Sequence, residues 1–467
     1  MPITKSPTSE LTEAVRGPVL RPADVGYAAE CSVYNLNLGL EPALVVGATG
    51  PDDVRAAVRF AGRQGLPVAV KNSGHQTATP ATGAVLVTTG RMTDVTVDPE
   101  RRTARLAAGV RWPQLLTEAA RHGLAPINGS SPTTGVVGYL LGGGHSPTLG
   151  RSLGYAADHV RRIEIVTADG ALRQVTAEAD PELFWALRGG KGNFGVVTEI
   201  EIDLFPVTRL YGGGLYFAGE HIGAVLHSWR RWVATLPDEA TSSVAVQRLP
   251  PLPELPEPLR GAFVVHLRFS HLGPAVEGAD LLAPMRGCAP VLLDGVAEMP
   301  YSAMPGIHAD PTEPMPYYDR TTSLRELTAD TIDALIDVTG PDSGCPLVTV
   351  ELRPLGGALN REPASPNAVS TRDVPFVLFG FGVGGPDRAD VLRGHLDLVV
   401  RRLEPWSGSH LMVNFLSAEE GETPEAVRAL YGDQRYRRLA SVKQAYDPAN
   451  MFRMNHNITP EHDASRL

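Results

Sequence analysis

Cysteine is scarce. Cys31, Cys288 and Cys345 are the whole complement of a 467-residue chain. They are far apart and odd in number, so neither a disulfide framework nor a CxxC metal site is expected, and no metal is assigned. Basic runs are missing too: 42 Lys and Arg stand against 52 Asp and Glu, a net charge of −10. That balance speaks against nucleic acid or an anionic membrane as the main partner. No segment approaches the roughly 20 apolar residues of a membrane helix. Met1–Arg16 is polar and lacks the apolar centre of a signal peptide. A soluble cytoplasmic protein follows. Lysine is nearly absent, with Lys5, Lys71, Lys191 and Lys443 its only positions, an arginine bias that suits a GC-rich bacterial genome.

The material present is 43% hydrophobic, with 48 glycines and 40 prolines. Together these two stay below the roughly 25–30% of low-complexity sequence, so they serve turns and close backbone contacts. The spacing predicts a strand at Leu44–Gly47, a helix over Val54–Gln64 closed by Gly65, and a strand at Pro67–Val70. Further strands are expected at Val85–Thr88 and Val95–Val97, then a helix over Trp112–His122. Gly195–Phe205 reads as a half-buried strand with Val197, Glu199 and Glu201 outward. Near Tyr211 the composition changes, and a helix is expected over Pro424–Tyr446. The chain thus divides into a domain over 1–208, a second over 209–405, and a segment 406–467 that returns to the first. The fold class is α+β.

Two glycine-rich stretches carry the chemistry. Lys71-Asn72-Ser73-Gly74-His75-Gln76 follows a strand, where successive backbone N–H groups can point at a phosphate. The second runs from Ser131, Pro132 and Thr133 through Gly135 and Gly138 to Gly142-Gly143-Gly144, removing side chains where a flat ligand can lie on the backbone. Neither is a Rossmann fingerprint or a Walker loop, since the spacing is wrong and Pro147 stands where a phosphate-capping helix would begin.

These stretches, with Gly154-Tyr155-Ala156-Ala157-Asp158, Asp180–Gly190 and Gly192-Asn193-Phe194-Gly195-Val196-Val197-Thr198, resemble the berberine-bridge-enzyme-like branch of the FAD-linked oxidases. Asn414, Tyr446-Asp447-Pro448 and Asn457-Ile458 fit the same family. The resemblance implies a PCMH-type FAD-binding domain of two subdomains, and a substrate domain whose antiparallel sheet is covered by helices. It implies FAD lying along Lys71–Gln76, Ser131–Gly135, Gly138, Gly142–Gly144, His145, Gly195, Val197, Asn414, Asn455 and Asn457. His75 matches the histidine linked to the flavin 8α-methyl carbon, chemistry open to a neutral imidazole. Ser131 stands where many relatives carry a second, cysteinyl link. An alcohol is a far weaker nucleophile than a thiolate, so one attachment is expected.

Thr134 matches the position that gates oxygen beside the flavin. In Val348–Arg353, Thr349, Glu351 and Arg353 share one strand face. The family's sheet covers the flavin, which makes Glu351 the expected base, with a raised pKa unless Arg353 pairs with it. The Tyr-x-Asn of many relatives is Met412-Val413-Asn414 here, so Met412 is expected in an apolar pocket with Tyr139, His145, Tyr317 and Tyr318 as further candidates. Phe376, Phe379 and Phe381 are expected in the core. The implied reaction is hydride transfer from a small hydroxylated or phenolic natural-product intermediate, with O2 reoxidising the flavin. A dehydrogenase or redox-neutral cyclase of the same fold, and a small-molecule-sequestering resistance protein, are the alternatives.

Overall fold

Three sheets organise the described residues, and each follows from its own hydrophobic pattern. The computed structural model describes residues 7–461; residues 1–6 and 462–467, the ends of the expected first domain, lie outside them. In the first sheet Leu44–Gly47, Val85–Thr88 and Val68–Lys71 run parallel, with Val19–Leu20 added antiparallel at one edge. Leu44–Gly47 and Val85–Thr88 are buried throughout, the continuous apolar pattern of a sheet covered on both faces. Parallel neighbours need a crossover, supplied by the helix Pro51–Gln64. Pro51 sits in its first turn, where a missing N–H costs nothing, and Gly65 ends it at φ 65°. Residues 51–53 join the expected helix because Asp53 accepts the N–H groups of Arg16, Gly17 and Thr49.

The second sheet is antiparallel, in the order Val95–Asp98, Thr103–Ala107, Val196–Asp203, Val160–Val166, Leu172–Val175. Val196–Asp203 is its central strand. Val197 and Glu201, expected outward, are therefore buried. The helix expected over Trp112–His122 stops at Ala120.

The third sheet has eight antiparallel strands spanning Arg209 to Val383. Alternation gives it two unlike faces. Val244, Val246, Val265, Leu267, Val350, Leu352 and Leu378 join the core under the helices Ile222–Val233, Ala329–Thr339 and Ala389–Leu403. The other face carries Ser243, His266, Arg268, Glu351 and Arg353, all buried. The chain after this sheet packs on the first core through Val413, Leu416, Val427, Leu430 and Leu439. The single helix expected over Pro424–Tyr446 is two, Pro424–Tyr431 and Asp433–Tyr446, broken at Gly432 with φ 73°.

Candidate active site

The end of the strand Val68–Lys71 opens into the first glycine-rich loop. Gly74 has φ 70°, and a Cβ there would lie 3.0 Å from the Val33 backbone, so only glycine makes this turn without strain. The turn presents His75 toward the second loop. Ser73 Oγ accepts the Gly135 N–H at 3.2 Å and lies 3.2 Å from His75 Nδ1. His75 Nε2 is 3.0 Å from Thr133 Oγ1 and 3.5 Å from Ser131 Oγ. Tyr34 stacks on the imidazole at 4.2 Å. Burial, and then the Arg111 charge, push the His75 pKa down to about 4 against the opposing Asp310. At pH 7 the ring is neutral and keeps a lone pair to offer.

The glycine ladder is a matched surface. A Cβ on Gly142 would fall 1.8 Å from Asn414 Oδ1, and one on Gly144 would enter the Tyr139 ring. Asn414 Nδ2 donates to Tyr139 O at 2.9 Å, which locks the C-terminal segment onto the ladder. Several buried polar atoms here have no hydrogen-bond partner among the described residues: Asn72 Oδ1, Tyr139 O–H, His145 Nδ1, Asn455 Oδ1 and Asn457 Oδ1. Buried groups without partners are costly, so a ligand with donors and acceptors suits this cradle.

The other expected cofactor residues divide. Pro132, Thr133 and Thr134 are half-buried beside His75, and Gly143 bends at φ 100°. Gly138 is exposed in the short helix Val136–Leu141, with open space around it. Lys71 turns away and donates to Glu30 O at 2.6 Å. Gln76 holds the 413–416 turn through the Val413 and Leu416 carbonyls. The Val197 side chain lies in the core, and a Cβ on Gly195 would strike Val166 O, so at these two positions only backbone is left for a ligand.

Glu351 does not match the expected base. Arg353 donates to its Oε2 at 2.8 Å, Ser243 to its Oε1 at 2.6 Å, and Arg268 Nη1 lies 2.6 Å from Oε1. Burial alone would raise this carboxyl, but Arg268 and Arg353 hold it well below the carboxylate range. The sequence reading of a raised pKa is thus reversed, because two guanidiniums flank the acid where one was weighed. An anion so held is a weak proton acceptor. Glu351→Gln should leave two buried guanidiniums uncompensated and cost about 3–5 kcal/mol, read as a lower denaturation midpoint. Because the folded pKa is depressed, this stabilisation is complete above the ordinary 4.5 and is lost as pH falls through the folded value.

A second carboxyl, which the sequence reading missed, lies on the same sheet face. Along Tyr317–Leu324, Tyr317, Asp319 and Thr321 point one way, while Tyr318 faces the helices under Arg393. Tyr318 therefore leaves the pocket. Asp319 pairs in register with Phe381. Burial first, then Glu420, push its pKa up to about 7, with Arg320 opposing. The stretch YYDRTTS carries polar residues on both faces, so no alternation singled Asp319 out. Around it Phe379 and Phe381 are half-buried on the same sheet face, outside the core placement expected; Phe376 packs toward the helices. Phe379 lies 5.4 Å from Phe415, and Phe381 lies 5.0 Å from Tyr317, whose O–H is 3.5 Å from His75 O. Met412, expected in the pocket, is instead packed with Tyr155, Val369 and Val377.

Comparison with known proteins agrees with this geometry. Residues 42–176 match the FAD binding domain family, and residues 412–459 match the family described as berberine and berberine like. The chain is 29% identical to (R)-6-hydroxynicotine oxidase of Paenarthrobacter nicotinovorans, over 96% of this chain and 98% of that protein. The crystal structure of 6-hydroxy-D-nicotine oxidase from Arthrobacter nicotinovorans superposes with a TM-score of 0.81 at 26% identity, covering 96% and 98% of the two chains. The BBE-like 1 protein of Physcomitrella patens, 18% identical, shares the fold at a TM-score of 0.84 over 98% of this chain and 100% of that one. The protein is an FAD-linked oxidoreductase. Within that class the two matched domains and the relatives point to the berberine-bridge-enzyme-like FAD-linked oxidases. The unpartnered asparagine oxygens and the side-chain-free ladder fit FAD. Among the described residues no group of His, Cys, Asp and Glu is arranged to hold a metal, and no helix is long and apolar enough to cross a membrane.

Proposed function

We propose that this chain is a cytoplasmic FAD-dependent oxidase of a small hydroxylated or phenolic natural-product intermediate, working in a cleft between a cofactor domain (1–208 with 406–467) and a substrate domain (209–405). Bound FAD would accept a hydride from the substrate carbon and pass the electrons to O2, giving hydrogen peroxide. His75 is the attachment point: it is neutral, shielded and held by Ser73 and Thr133. Ser131 forms no second link. Asn72, Asn414, Asn455, Asn457 and the ladder Gly142–Gly144 hold the cofactor, with Thr134 at the edge where oxygen enters.

Asp319 takes the substrate O–H proton, since a carboxyl with a pKa of about 7 both accepts and releases protons near neutrality. Glu351 positions Arg268 and Arg353. Phe379, Phe381, Phe415 and Tyr317 make an apolar wall that keeps water from the reacting groups and suits an aromatic ring. The neutral His75 beside a cradle of unpartnered asparagine oxygens carries this reading. Stopped-flow mixing of the reduced protein with air-saturated buffer tests it. Reoxidation within seconds, with one peroxide per flavin, is expected; reoxidation over many minutes would make the protein a dehydrogenase that serves another acceptor.

A further inference from the structure

Behind the aromatic wall lies a small cavity between the two domains. His145 and Pro147 line it from one side, and Thr241, Ser243, Arg268, His308 and Arg353 from the other. It is small, with room for about one water or one oxygen of a planar group that enters from the cleft. Its walls carry two guanidiniums, which only donate, beside neutral imidazoles that each offer one donor and one acceptor. Arg268 Nε, Arg353 Nε, His145 Nδ1 and both ring nitrogens of His308 are buried and make no aligned hydrogen bond. Arg268 Nη1 is close to Glu351 Oε1 without pointing a hydrogen at it. His308 Nε2 stands 3.6 Å from that oxygen, beyond hydrogen-bond range.

Charge sharpens the picture. Arg268 and Arg353 are 3% and 7% exposed, and Glu351 is the one acid in contact with them. Burial, and after it a neighbouring guanidinium, keep the imidazoles of His145, His266 and His308 neutral. Half-buried Asp310 acts on Arg353 electrostatically and forms no ion pair with it among the described residues. The contact cluster therefore holds one unneutralised positive charge and a surplus of N–H groups. A neutral carbonyl would satisfy one donor and leave the charge. A phosphate dianion would bring a second negative charge with nothing to meet it. A carboxylate brings one charge and up to four acceptor sites in a plane, the complement of a guanidinium fork.

We propose that the Arg268–Arg353–His308 cavity is a subsite for a carboxylate group of the substrate, which makes the substrate an aromatic or apolar carboxylic acid whose ring lies along Phe379, Phe381 and Phe415. The proposal rests on the reading of the interdomain cleft as the substrate site. Arg353 joins the two halves: its guanidinium lies 5.0 Å over the Phe415 ring.

Benzoate and its neutral isostere benzamide are the probes, titrated into the purified holoenzyme by calorimetry and, in parallel, by the flavin difference spectrum. Benzoate is expected to bind at least tenfold more tightly than benzamide. Arg268→Met should erase that preference, bringing benzoate down to the affinity of benzamide for the same variant. Thr241→Glu, which supplies an internal carboxylate to the same arginines, should also erase it and guards against a poorly folded Arg268→Met. Equal affinity for both probes in the wild type, or a preference that survives both variants, overturns the subsite. The two readings fail separately. A colourless protein that still prefers benzoate by calorimetry loses the oxidase and keeps the subsite; a yellow protein with no preference loses the subsite alone.

Discussion

Wild-type protein precipitated in acid should carry its yellow colour into the pellet, and His75→Ala should release all of it into the supernatant. A tether is present or absent, so the effect is complete. The local physics favours attachment: with a pKa of about 4 the imidazole spends almost no time protonated near neutrality, and two hydroxyl groups plus the Tyr34 ring fix its direction. Peptide mapping of the wild type should find the added mass of the flavin on the peptide containing residue 75 and on no other, since Ser131 has no thiolate to add. Colour in the wild-type supernatant would mean that FAD is held by the cradle alone.

Asp319→Asn should slow anaerobic flavin reduction by any accepted substrate about 10²- to 10⁴-fold, the usual range for loss of a general base. Wild-type reduction should speed up as pH rises through about 7, where this carboxyl ionises, and the variant should lose that limb. Unfolding does not explain such a loss. The folded pKa of Asp319 lies above its ordinary 3.8, so its ionisation costs stability between roughly pH 4 and 7, and a neutral asparagine is expected to keep or raise the melting temperature. A variant that retains its rate within threefold, with the pH limb intact, would remove Asp319 from the chemistry.

How much of this was legible beforehand differs from element to element. Leu44–Gly47 and Val85–Thr88 read directly from composition, because a strand buried on both faces is apolar throughout. Val196–Asp203 misled, because its alternation suggested an open face while the strand lies central in its sheet with Val196, Val197, Ile200 and Ile202 all in the core. His75 and the ladder stood out as local motifs. Alternation along Val348–Arg353 puts Glu351 and Arg353 on one face, yet the protonation of Glu351 depends on Arg268, which lies 83 positions away in the chain and meets it only through sheet pairing. Asp319 was invisible for a similar reason: its pKa reflects Glu420 and burial under another segment. Local pattern locates a residue on a face; distant neighbours decide its charge.

The interlock of Asn414 with Gly142 also dictates a schedule for biosynthesis. Asn193 binds His456 O through Nδ2 and Ile458 N through Oδ1, and buried Lys443 reaches Asn193 O, so these contacts join amino acids separated by at least 250 positions. A ribosome adding roughly 5–20 residues per second finishes residues 42–176 well before it delivers their closing partners. Loading of FAD is then expected to follow translation, and a nascent chain stalled before residue 414 is expected to be uncoloured.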